Sequence, residues 1–75
     1  MTAFYTVILT PDREVGGCTV RVPALPGCNT QGDTIDETIA NAREAIALYL
    51  EVLRERGEAL PADTGDQAIR VEVVA

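Results

Sequence analysis

Apolar and polar positions alternate over residues 4–10, and the β-branched and aromatic content of that run predicts a strand. Tyr5, Val7 and Leu9 fall on one side, with Phe4, Thr6 and Ile8 on the other. Both sides carry apolar groups, which places this strand in the middle of a sheet. Pro11-Asp12 opens a turn, and Gly16-Gly17 supplies positions that tolerate positive φ. Cys18, Val20 and Val22 then alternate with Thr19 and Arg21, as expected of a half-buried strand hairpinned to the first. Pro23 and Pro26 withhold ladder donors, so this second strand ends near Val22. Gly27 lets the chain reverse, residues 28–31 form a short third strand at an edge, and Gly32 breaks the extended run.

At Thr34 the period changes from two to 3.6. Thr34-Ile35-Asp36-Glu37 reads as a capping box, with Thr34 accepting from the Glu37 amide and Glu37 reaching back. The helix it opens runs to about Arg56, with Gly57 as a left-handed cap. Ile35, Ile39, Ala42, Ile46, Tyr49, Leu50 and Leu53 make the stripe expected to pack on the sheet. Glu37, Glu44, Glu51 and Glu55 fall on the opposite side as an acidic ridge, with Leu48 and Val52 beside it. A loop containing Pro61, Asp63, Thr64 and Gly65 follows. Alternation then returns over residues 68–74, where Ile69, Val71 and Val73 face one way and Arg70 and Glu72 the other.

The expected fold is therefore α+β, in the order β-β-β-α-β. Three strands form an antiparallel meander, the helix crosses one face, and a fourth strand returns parallel to the first. The sheet order is 3-2-1-4 by a right-handed crossover. Seventy-five residues make a single domain, 1–75, whose core is small enough that a partner subunit is the favoured supplement.

Twelve Asp plus Glu against six Arg and no Lys give a net charge of −6. That balance argues against direct nucleic-acid binding and would steer a basic partner toward the chain. No apolar run is long enough for a membrane helix, the N-terminus lacks signal-peptide features, and a cytoplasmic location follows. Cys18 and Cys28 then read as reduced, buried thiols.

Candidate chemistry is sparse. A β-β-β-α-β order is the minimal core of the ribonuclease H architecture, whose two-metal chemistry needs a carboxylate at the centre of the first strand. FYTVILT offers none, and Glu72 with Glu37 or Glu44 cannot complete the set. Neither cysteine has a histidine to serve as base. No catalytic residue, metal site or cofactor is expected, and the chain reads as a non-enzyme. The ridge of Glu37, Glu44, Glu51 and Glu55 with Leu48 and Val52 has two readings: a solvated face or cover for the C-terminal loop, or a partner surface.

The run YTVILTPD, the Gly16-Gly17 pair, TVRVPALPGCNTQGDT and the helix segment TIANAREAIALYL together resemble the HicB family of antitoxins, over about three-quarters of the chain. Tyr5, Pro23, Leu25, Pro26, Gly27, Cys28, Gly32 and Thr34 carry the motif in structural roles. The resemblance implies a partial ribonuclease H-like fold that binds and neutralises a small, basic, mRNA-cleaving toxin of the HicA type; the small core adds the expectation of a homodimer or higher homo-oligomer. Fuller members carry a C-terminal ribbon-helix-helix or helix-turn-helix segment for operator binding, and this sequence resembles the short form without it. Cys18 stands where an aromatic residue is common in the family. The alternative expectation is an orphan module of the same fold that binds another protein or a small ligand.

Overall fold

The structure is a computed structural model that describes residues 2–75. Strands β1 (Ile8–Pro11), β2 (Cys18–Arg21) and β3 (Asn29–Gly32) form an antiparallel sheet in the order β1-β2-β3, followed by helix α1 (Ile35–Glu55). Ile8 lies opposite Arg21 and Pro11 opposite Cys18, while Cys18 also faces Gly32 and Arg21 faces Asn29.

The first hairpin turns on Asp12, whose side chain accepts from the amides of Glu14 and Val15 at 3.0 and 3.3 Å. Gly16 and Gly17 follow at φ 81° and 78°. The second reversal, over residues 22–28, is closed by the Val22 amide donating to the Cys28 carbonyl at 3.2 Å and the Cys28 amide to the Leu25 carbonyl at 3.0 Å. This loop turns inward. Val22, Leu25 and Cys28 form the buried core cluster, with Tyr5, Val7, Ala45, Ile46, Tyr49 and Leu50 packed against it. Leu25 is fully buried, a contribution of roughly 1.5–3 kcal/mol for one such side chain.

Strand pairing begins later than the alternation predicts, at Ile8 rather than Phe4. Beyond Arg21, β2 runs into Val22 and Pro23: the Val22 amide is spent on the Cys28 carbonyl, and proline has none to offer. Residues 4–7 therefore continue unpaired, though Tyr5 and Val7 still reach the core.

Helix α1 opens on Thr34, whose extended backbone (φ −127°, ψ 164°) lets its hydroxyl accept from the Glu37 amide at 3.1 Å. It closes on Gly57 at φ 70°, with the Gly57 amide donating to Arg54 and the Glu58 amide to Leu53. The helix packs chiefly on β3 and less on β2. The expected stripe holds from Ala42 onward, with Ala42 buried and Ile46, Tyr49, Leu50 and Leu53 half-buried, but near the N-terminus Thr38 is the buried residue and Ile35 and Ile39 are exposed. The cause is a close approach. A Cβ on Gly32 would stand 2.6 Å from the Thr38 amide nitrogen, so small residues must meet where helix and β3 touch. The larger Ile39, Ile46 and Leu50 turn toward the β1 side.

The fourth strand expected at residues 68–74 does not form within the single chain, so among the described residues the sheet order is β1-β2-β3, without the fourth position of 3-2-1-4. The preceding loop is fastened instead: the Tyr5 hydroxyl donates to the Pro61 carbonyl, and the Thr6 amide and hydroxyl each donate to the Asp63 carboxylate at 2.8 Å. After a turn at Gly65 (φ 76°) the rest of the chain stands away as an exposed arm.

Candidate functional site

The residues of the acidic ridge are solvent-facing along α1: Glu37, Glu44, Glu51 and Glu55 are all exposed. Leu48 is 63% exposed, a high value for a leucine in the middle of a helix, and Val52 is half-buried one turn later. At 100° per residue, Leu48 lies one turn from both Glu44 and Glu51, and Val52 one turn before Glu55. Glu37 stands apart. Eleven residues of rise put it about 16 Å up the axis from Leu48, where its amide belongs to the N-cap.

Leu48 and Val52 are not an isolated apolar pair. Together with Tyr49 and Leu53 they line one wall of an open groove of about 400 Å³, and Gly27, Cys28 and Asn29 line the other. The sequence placed the hinge and the helix ridge apart. The structure makes them two sides of one feature. Tyr49 ties them, donating its hydroxyl to the Pro26 carbonyl at 2.9 Å, and Gly27 takes φ 80° to complete the reversal. Arg56 closes the C-terminal end. The groove thus has a largely apolar lining with the 22–28 loop as its far wall, and Glu44, Glu51 and Glu55 flank its helix side at helical spacing from Leu48 and Val52.

The motif residues fall into supporting roles. Pro23 is half-buried, and Leu25 and Cys28 are in the core. Gly32 admits the helix, Thr34 caps it, and Tyr5 fastens the C-terminal loop. Burial pushes the Cys28 thiol up from its ordinary pKa, so it stays protonated at neutral pH. Cys18 sits opposite Gly32 and Cys28 beyond Asn29, four residues along the ladder and roughly 13 Å away, so the two thiols are free and cannot bridge. Among the described residues no three of Cys, Asp and Glu converge on a point where a cation could sit.

Leu25, a motif residue set between prolines, turns inward and is fully buried. Thr38, which nothing in the sequence singled out, is also fully buried, its hydroxyl satisfied by the Thr34 carbonyl at 2.6 Å.

Residues 5–72 match the family model described as a HicB-like antitoxin of a bacterial toxin–antitoxin system. The chain belongs to the HicB-like antitoxin family. A UPF0150 protein of Thermoplasma acidophilum is 48% identical to it over 63 residues, covering 84% of this chain and 90% of that protein. A UPF0150 protein of Archaeoglobus fulgidus is 43% identical over 56 residues, covering 72% and 80%. One from Synechocystis is 44% identical over 57 residues, covering 76% and 71%. The matched span takes in the groove, the hinge and the whole of α1 of this HicB-like chain. Among the described residues no helix is long and apolar enough to cross a membrane.

Proposed function

We propose that this HicB-like protein is a non-enzymatic antitoxin that binds and neutralises a small, basic, mRNA-cleaving toxin of the HicA type. The observation that carries the proposal is the apolar groove on the C-terminal half of α1, with exposed carboxylates one helical turn from Leu48 and Val52. Leu48 and Val52 supply desolvation, while Glu44, Glu51 and Glu55 complement a cationic partner. A net charge of −6 supports the same choice of partner. The protein acts as a single domain and a homo-oligomer in the cytoplasm, without contacting nucleic acid itself. Its assembled sheet has the order 3-2-1-4 of a partial ribonuclease H-like fold.

Binding of a purified HicA-type toxin at low and high salt tests the reading. Association should be measurable at low salt and weaken as salt screens the rim charges. Leu48→Arg should weaken it at least tenfold, about 1.4 kcal/mol, with an unchanged thermal midpoint. Absence of binding at low salt would refute the antitoxin assignment for this partner class. Parallel loss of stability and affinity would show instead that Leu48 supports the fold.

A further inference from the structure

A second apolar groove, distinct from the toxin-facing one, lies on the β1 side of α1. It has a volume of about 540 Å³ and is lined by Phe4, Val7, Ile39, Ile46, Leu50 and Leu60, among others. Phe4 is 84% exposed and Ile39 faces solvent, an arrangement that costs a domain with so small a core. The run leading into β1 forms one wall of this groove, and β1 itself keeps a free edge, since β2 occupies the other. The chain also carries what such a groove and edge would take. Residues 68–74 alternate apolar and charged, and Ile69, Val71, Val73 and Val74 are each at least 74% exposed. Seven extended residues span about 23 Å, enough to run from the groove past the edge of β1.

The arm does not lie in its own groove. The bonds from Tyr5 to Pro61 and from Thr6 to Asp63 bring the loop to residues 5 and 6, just ahead of β1. The turn that follows, held by the Gly65 amide on the Asp63 carboxylate and the Asp66 amide on the Thr64 hydroxyl, carries the chain onward. The molecule accordingly measures 50 Å along its longest axis, against 27 and 20 Å along the others. An unpaired alternating segment and an uncovered strand edge on one chain are the two halves of a reciprocal exchange.

We propose that two copies exchange these arms, residues 68–74 of each pairing with the open edge of β1 in the other and setting Ile69, Val71 and Val73 into its groove. The fourth strand of each sheet then belongs to the second copy. The exchange rests on the expected fourth strand but not on toxin binding, and it is read without any toxin present.

Mixed dimers test it, made by unfolding and refolding together one copy labelled with 15N and deuterium and another carrying 13C methyl groups. Isotope-filtered NOE spectra should show contacts from the Val71 and Val73 methyls of one copy to the Val7–Leu9 amides of the other. Sedimentation should report a dimer at tens of micromolar. Ending the chain after Gln67, or the double substitution Val71→Asp with Val73→Asp, should shift the species to monomer while helical circular dichroism persists. The proposal is overturned if those contacts appear only within one copy, if the wild-type chain is a monomer, or if the shortened chain remains a dimer.

Discussion

At the scale of single residues, the two cysteines show how position on a ladder decides chemistry. Cys28 sits in the core cluster beneath the hinge, where burial raises its pKa, whereas Cys18 is half-buried on β2 beside the first turn. Alkylation by iodoacetamide at neutral pH should therefore modify Cys18 at least tenfold faster than Cys28, read by mass spectrometry of the peptides. Equal rates would mean that the core opens as often as the edge. Both thiols read as buried in the sequence, because alternation assigns a face to a residue but not how well that face is covered. Leu25 shows the converse: its neighbours marked a turn, and only packing revealed that the turn points inward.

Secondary-structure elements were legible where their signals are local. Thr34 and Gly57 delimit α1 within one residue of expectation, since caps are made by the residues that show them. The hairpin turn was equally plain from Pro11-Asp12 and Gly16-Gly17. The buried face of α1 was legible from Ala42 onward but not in its first turns, because there it depends on Gly32 of another element. That dependence is testable: Gly32→Ala should force β3 and α1 apart and destabilise the fold by about 1–3 kcal/mol, measured by urea unfolding. A neutral result would show that the helix does not sit as close to β3 as 2.6 Å demands. The candidate groove was half legible in the same sense. Glu44, Leu48, Glu51, Val52 and Glu55 were grouped by helical period, while the opposing wall of Gly27, Cys28 and Asn29 could only be placed by the sheet.

Across the whole molecule, the segment after α1 is held by few bonds, and those around Asp63 join its loop to the N-terminal run. The Thr6 amide, and then its hydroxyl, stabilise the Asp63 carboxylate and hold its pKa below the usual value. A depressed folded-state pKa means that the contribution is complete above the unfolded pKa, near 3.9, and disappears as pH falls through the folded value. The Thr6 amide proton should accordingly titrate with a midpoint below 3.9 in NMR spectra, and Asp63→Asn should abolish that titration. A midpoint at or above the ordinary value would show that the loop is not fastened there in solution.

The sequence by itself determined the three-strand meander, the capped helix, the acidic surface and the family, because alternation, turn chemistry, capping and net charge are properties of neighbouring residues. Only the tertiary structure decided that residues 22–28 build the core, that Thr38 rather than Ile35 and Ile39 meets the sheet, and that the 22–28 loop walls the groove beside Leu48. It also decided that the alternating residues 68–74 stand free of their own sheet. The reason is common to all of these. A periodic pattern states that a segment has an apolar side, but what covers that side depends on residues distant in the chain.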